Sequence, residues 1–249
     1  MIKFENTEVV GWEHAIRGMR NPLNSWHKSD SGYKCPYYST KETVCLGCKE
    51  NMCIGPNDHD LMTRLRNAGT DHRKFMRMIT VYTDITAPLY WWKEFDTYKV
   101  GTVANSCSTM HKIAEKEFTL DDFSCEHLVS GWIGRDVDGV VVSIPGPIEQ
   151  LEYTIDLLNN IRDLYLKVSN TPKNKIDWSC APELSAKDIW WQMIQLLPSS
   201  YNQKRTVMLN YEVLANIYKS RRAHKLDEWN YFCDWIESLP YSELITGKE

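Results

Sequence analysis

Four cysteines fall in one short stretch, as Cys35-x9-Cys45-x2-Cys48-x4-Cys53. A Cys-x2-Cys pair with two flanking thiols suits a tetrahedral zinc site, and zinc would order a loop otherwise rich in Gly and Pro. His27 and His59 are substitute ligands, and an iron–sulfur cluster is a weaker option. Free thiols in a loop are the equally weighted alternative. A second stretch carries a different chemistry. It starts at His72-Arg-Lys-Phe-Met-Arg-Met, runs through a β-rich segment to Ala87-Pro88, and continues past Trp91-Trp92-Lys93-Glu94. It then reaches Thr97-Tyr98-Lys99, Asn105, Ser108 and His111. A strand, a short helix and a polar loop with cations make a phosphate platform, because helix ends and loop amides hold anions. Lys93, Lys99 and His111 add charge. A buried aromatic helix followed by a solvated loop accounts for the same composition. Cys107 lies in that loop without a flanking activating motif, so an inert thiol is expected.

Elements must position these residues. The sequence predicts a short strand at 2–4 and a helix from Trp12 to Met19. Residues 21–56 read as irregular. Asn57 or Asp58 is a candidate N-cap for a helix through Leu61, Met62 and Leu65, closed by Gly69. Ile79, Val81, Thr83 and Ile85 alternate with Met78, Thr80, Tyr82 and Asp84, which predicts a strand. Ala87-Pro88 then starts a new element, with proline favourable at a helix start, and a helix is expected over Leu89 to Asp96. A second strand lies in 136–144, with Asp138-Gly139 as its turn signal. After Pro145-Gly146-Pro147, apolar residues at 151, 155, 158, 161, 165 and 168 follow helical spacing. Ser185-x-x-Asp188 is a capping box for a helix stopped by Pro198. Helices over 207–221 and 227–238 complete an α+β chain, helix-rich towards its C-terminus. A single domain with a Cys-rich insertion at about 21–56 is expected.

With these residues in place, the order of segments resembles the flavin-dependent thymidylate synthases. His72 falls at the histidine of the family's His-x-Ser/Thr-Pro-Phe-Glu segment, and Ala87-Pro88 at its Ala-Pro. Lys93-Glu94 stands where Arg-Gln is found, and Thr97-Tyr98-Lys99 replaces Arg-His-Arg. Asn105 and Ser108 keep an Asn-x-x-Ser spacing, while Met110-His111 replaces the closing Arg-Tyr. Late in the chain, Asn210, Asn216 and Arg221 reproduce the family's Asn-x5-Asn-x4-Arg. Arg222 is the alternative if the register is one residue off. Leu196-Leu-Pro-Ser-Ser-Tyr201 resembles the stretch before that helix. The likeness covers roughly 58–111 and 185–238.

The resemblance implies a mixed α/β subunit in a homotetramer, with FAD and dUMP at shared subunit interfaces. It implies one-carbon transfer from methylenetetrahydrofolate to C5 of a dUMP-like pyrimidine nucleotide, with NADPH as reductant. Arg221 would be catalytic, holding the pyrimidine and stabilising charge on its carbonyl. His72, Lys99, Asn105, Asn210 and Asn216 would hold flavin. Ser108, Lys93, Glu94 and Arg222 would contact the nucleotide. Cap or helix-surface roles are the plain alternative for Asn210 and Asn216. Of the replaced Arg-His-Arg only Lys99 is a cation, and an ammonium lacks the bidentate fork of a guanidinium. A nucleotide-binding homologue without the methylation chemistry is therefore the alternative function. A zinc-containing interaction protein is a third.

Composition limits the classes. The 249 residues carry 43% hydrophobic and 25% charged side chains, which excludes a disordered chain. The net charge of −4 argues against a duplex nucleic-acid binder, which needs a basic excess. Glu5 and Glu8 interrupt any signal-like start, and no apolar run approaches the ~20 residues of a membrane span. A cytoplasmic protein with mostly reduced or metal-bound thiols is expected.

Overall fold

The computed structural model describes residues 2–33, 52–172 and 183–247, apart from the side chains of Ile133 and Arg135. In chain order the elements are β1 (Lys3–Val10), α1 (Trp12–Arg20), β2 (Gly32–Tyr33), β3 (Met52–Cys53), α2 (Pro56–Asn67), β4 (Thr80–Pro88), α3 (Leu89–Phe95) and β5 (Val103–Ser106). They continue with β6 (Trp132–Val137), β7 (Val140–Pro145), α4 (Pro147–Asn170), α5 (Ala186–Leu196), β8 (Asn202–Asn210), α6 (Tyr211–Arg221), α7 (Asp227–Glu237) and α8 (Glu243–Thr246). A four-stranded sheet has the order β1-β4-β8-β5, and β2–β3 and β6–β7 form separate two-stranded ladders. Chain contacts gather the fold into two compact units. One holds Thr86–Phe95 and Ser106–Arg205, the other Ile2–Ile85, Asp96–Asn105 and Thr206–Glu249. The α+β class read from the sequence is the class observed.

In the unit that holds β1 and α1, β4 buries Val81, Thr83 and Ile85 on one face, in the register its alternation predicts. Trp12, Met62, Phe75, Leu214, Trp229 and Phe232 are also buried in this unit, each such side chain contributing about 1.5–3 kcal/mol. Gly11 opens α1 with φ 94, and a Cβ there would lie 2.0 Å from the Met78 carbonyl oxygen, so only glycine fits. In the other unit, Trp91 stacks on Phe95, and Trp92 meets both rings edge-to-face, in the interior. A second cluster packs α4 against α5 through Leu151, Ile155, Leu158 and Met193. Ser185 and Asp188 form the capping box read from the sequence.

Several elements depart from the sequence reading. β1 runs to Val10. The helix expected from Leu89 forms, as α3, but Pro88 belongs to β4 and not to the helix start. The first α3 amides, at Leu89 and Tyr90, donate to the carbonyls of Tyr201 and Ser199, so no proline start is needed. The segment 136–144 is not one strand but most of a hairpin. Val137 faces Val140 across Asp138 (φ 53) and Gly139 (φ 84), a two-residue turn with both central φ positive. Residues 207–210 are strand, not helix: β8 buries Gln203, Val207 and Leu209 in alternation.

Neither Asn57 nor Asp58 caps α2. The Asp30 carboxylate does so from another loop, accepting from the amides of Asn57 (2.9 Å) and Asp58 (3.1 Å). Gly55 makes room for it, since a Cβ there would fall 2.2 Å from Asp30. Asp58 turns inward and is fully buried. Its Oδ1 accepts from Arg20 Nε at 2.6 Å. Its Oδ2 accepts from the Ser29 and Ser31 hydroxyls at 2.6 Å and from the Asp30 and Ser31 amides at 3.1 Å. Burial opposes the charge on Asp58, but the bonds from Ser29, Ser31 and Arg20 outweigh it and hold its pKa below the ordinary 3.8.

Candidate functional site

Two of the five predicted flavin ligands, Asn210 and Asn216, belong to α6, one as its cap and one in its middle. Asn210 closes β8 and caps the helix, its Oδ1 accepting from the Val213 amide at 3.0 Å. The cap role is therefore the one its oxygen plays. Gly101 (φ 74) packs closely there: a Cβ would come 2.8 Å from Asn210 Nδ2 and 3.0 Å from Val213. In the first turn of the helix, Glu212 is 4% exposed. Its carboxylate takes Arg73 Nε at 3.5 Å and is also bonded to Arg77 Nε. Arg73 Nη2 reaches on to Asn216 Oδ1 at 3.2 Å.

Arg73 and Arg77 lie on a short 3-10 segment, Arg73–Met78, directly after His72. Two guanidiniums share one buried carboxylate, and the charge of Asp71 also acts on Arg77. The Arg77 side chain is 57% exposed, so part of its donor fork faces water. The bond and charge of Glu212 raise its pKa. These three residues were missed in the sequence. Arg73-x3-Arg77 was legible as a pair of cations, but the acid that organises them is far along the chain.

A different face of α6 carries Arg221. Its Nε donates to the Tyr98 hydroxyl at 2.8 Å. Its guanidinium lies 4.6 Å from the ring centre of the buried Trp229 and 5.6 Å from that of Tyr98. A planar cation over an aromatic face is the arrangement cation–π attraction favours. Arg222 points elsewhere. It pairs with Asp234 at 2.6 Å and Glu237 at 3.3 Å, and the bond to Asp234 raises its pKa. Arg221 thus rests against two aromatic rings, and Arg222 against two acids. At about 100° per residue, Asn216 and Arg221 stand about 140° apart around the helix.

The remaining predicted residues do not join these clusters. His72 is exposed, and its amide donates to the Gly69 carbonyl. Lys99 and Asn105 are exposed, with no side-chain bond among the described residues. In the other unit, Lys93 is exposed and Glu94 half-buried on α3. The Ser108 hydroxyl accepts from the His111 amide at 3.0 Å, tightening a turn. Arg205, which the sequence reading passed over, lies 4.2 Å from the Trp92 ring centre and donates to Gln203 Oε1 at 2.9 Å.

Of the expected zinc ligands, Cys35, Cys45 and Cys48 lie outside the described residues. Cys53 is a half-buried free thiol on β3. His59, the substitute ligand, pairs with Glu243 at 2.6 Å. Among the described residues no group of three or more His, Cys, Asp or Glu side chains could hold a metal ion. Nor is any described helix long and apolar enough to cross a membrane.

The chain matches no protein-family model and no curated protein sequence. Its fold does match solved structures. One is the crystal structure of thymidylate synthase X (ThyX) from Helicobacter pylori with FAD and dUMP, at a TM-score of 0.59 and 14% identity. A second structure of that flavin-dependent enzyme, also complexed with FAD and dUMP, matches at a TM-score of 0.56 and 15% identity. Each match covers 99% of this chain and 98% of the other. At such identity the likeness is one of fold, extending over the whole chain.

Proposed function

We propose that this protein is a flavin-dependent thymidylate-synthase-like enzyme that binds FAD and transfers a one-carbon unit to C5 of a dUMP-like nucleotide. The observation carrying the reading is the fold likeness, end to end, to an enzyme whose structures hold FAD and dUMP. The donor chemistry around α6 fits such ligands. The Arg73–Arg77–Glu212 cluster offers two guanidiniums to one carboxylate and an exposed Arg77 side chain, donors that suit a diphosphate. Asn216 holds Arg73 in place. Reduced flavin, when bound, supplies the hydride that completes the methyl group.

The chain's own contribution is binding and electrostatics. Arg221 is held by Tyr98 and Trp229 in a partly desolvated slot, where a guanidinium can hydrogen-bond a pyrimidine edge and stabilise charge developing on a carbonyl. The 140° between Asn216 and Arg221 argues for a shared site, with flavin and pyrimidine held by different copies in a homotetramer. Methylenetetrahydrofolate as donor and NADPH as reductant belong to the same proposal.

A second reading has its own support. Tyr98 stands in the segment resembling the family's Arg-His-Arg, and it already engages Arg221 Nε. A chain so altered would bind nucleotide and flavin without methylating. Absorbance of the purified protein and assay of flavin released on denaturation test the first step. Titration with dUMP, and tritium release from C5 of labelled dUMP, test the next. Bound flavin and released tritium support the enzyme; binding of both ligands without tritium release supports the binder; failure of both to bind removes the two readings together.

A further inference from the structure

The long helix α4 buries one apolar face and leaves a second one outside. Leu151, Ile155 and Leu158 turn into the core against Met193 of α5. Tyr153, Leu157, Leu164 and Val168 recur at steps of 4, 7 and 4 residues, so they share another face, about 140° around the helix from the buried one. Tyr153 is 59% and Leu157 49% exposed, and Leu164 and Val168 are half-buried. Single exposed apolar residues call for no explanation, but a stripe of them at helical spacing over about four turns marks a contact surface.

The charges beside the stripe specify its partner. Asp156 and Lys167 stand on the same edge, about 20° apart around the axis and about 16.5 Å apart along it. That is too far for them to pair within one chain. Neither side chain has an ion-pair or hydrogen-bond partner among the described residues. Asp163, one turn before Lys167, is paired with Arg162 instead.

A second α4 laid antiparallel on the first, about a two-fold axis between Asn160 and Ile161, brings these groups to their complements. Leu157 of one copy meets Leu164 of the other, and Tyr153 meets Val168. The same edge of the stripe faces itself across such an axis. Lys167 comes level with Thr154 of the other copy, within one turn of Asp156, and the pairing occurs twice per dimer. Asn160 is exposed in the middle of the stripe, and its amide, which both donates and accepts, can bond to its own copy at the axis. A parallel pair would set the acidic first half of α4, with Glu149, Glu152 and Asp156, beside its own copy, and would align the helix dipoles.

We propose that the Tyr153–Leu157–Leu164–Val168 face of α4 is an interface between two copies of this chain, antiparallel and two-fold, with Asp156 of each copy paired to Lys167 of the other. The proposal rests on α4 alone, and its test uses neither flavin nor nucleotide. Sedimentation equilibrium of the full-length protein should give a dimer or a multiple of one. Leu157→Asp, at an exposed position, places a charge in the seam and should weaken the association at least about 100-fold. Lys167→Glu turns two attractions per dimer into repulsions and should weaken it about 10-fold. Adding Asp156→Lys to Lys167→Glu restores opposite charges only between copies, and should recover most of that loss. Circular dichroism of each variant checks that it folds. A parent that stays monomeric, its stripe left to water or to a different protein, overturns the proposal. So does an assembled parent whose mass Leu157→Asp leaves unchanged, or a Lys167→Glu defect that the charge swap does not rescue. In those two cases assembly uses other surfaces, and the proposed flavin and nucleotide binding is untouched.

Discussion

Asp58→Asn is the sharpest test of how this fold holds its first helices in place. The change is nearly isosteric, so it tests charge and hydrogen bonding rather than packing. Keeping the amide oxygen towards Arg20 turns the NH2 towards four donors: the hydroxyls of Ser29 and Ser31, and the amides of Asp30 and Ser31. The hydroxyls can rotate and accept, but the two backbone N–H groups cannot, and each left unsatisfied costs about 1–3 kcal/mol. Arg20, itself 4% exposed, loses its counter-charge as well. Breaking a buried pair in this way costs about 3–5 kcal/mol, or a fall of about 6–20 °C in Tm for a chain of this size.

Asp58 also gives the parent a pH signature. Its folded pKa is depressed, so its contribution is fully present above the unfolded value near 3.8 and is lost as pH falls through the lower, folded value. Urea midpoints measured from pH 7 down to pH 2 should therefore converge for parent and variant at the acid end. A variant within about 1 kcal/mol of the parent at pH 7, with an unchanged acid limb, would refute the reasoning.

Three further outcomes are expected. Arg221→Ala should weaken dUMP binding by about 10- to 150-fold, the loss of about 1.5–3 kcal/mol from a charged donor, while Arg222→Ala leaves calorimetric affinity unchanged because its charge is already paired on α7. Asn210→Ala should cost about 1 kcal/mol of stability through the lost α6 cap, and Asn210→Ser should restore most of it; flavin retention measured in both variants separates the cap from any contact made by Nδ2. Gly11→Ala should cost at least about 2 kcal/mol in urea unfolding, combining a left-handed φ with a Cβ overlapping the Met78 carbonyl.

Elements were legible where their signals are local. The Ser185–Asp188 box, the Asp138-Gly139 turn and the six-residue apolar stripe of α4 each lie within a few turns of chain, and each formed as read. What failed was non-local. β8 escaped because its inward positions begin with Gln203 and then Arg205, polar residues that satisfy themselves on distant partners. Gln203 donates to the Cys107 carbonyl at 3.0 Å, and Arg205 lies over Trp92. The cap of α2 escaped because Asp30 reaches it across more than twenty residues of chain. At the candidate site, Arg221 was chosen over Arg222 by spacing alone, and the aromatic slot that distinguishes them needs Tyr98 and Trp229 from two other segments. Glu212 was invisible because a buried acid in a helix reads like any exposed one until its arginines arrive.

The two faces of α6 give the proposed function its physical constraint. The helix with its side chains is about 10–12 Å across. A ligand that touched both Asn216 and Arg221 of one chain would have to wrap around it, past the Asn210 cap and the close approach of Gly101. In the proposed function, the Arg73–Arg77–Asn216 face and the Arg221–Trp229 slot are two half-sites, one gripping a diphosphate and the other a pyrimidine. Within the proposed reading, catalysis then requires that the Arg221 slot of one copy meet the guanidinium face of another. Binding of nucleotide and flavin becomes coupled to assembly by mass action. In the Thr97-Tyr98-Lys99 segment, Tyr98 reaches the slot through its hydroxyl on Arg221. A change there can remove the chemistry while leaving the flavin face intact, which is why bound flavin by itself does not distinguish enzyme from binder and the fate of hydrogen at C5 does.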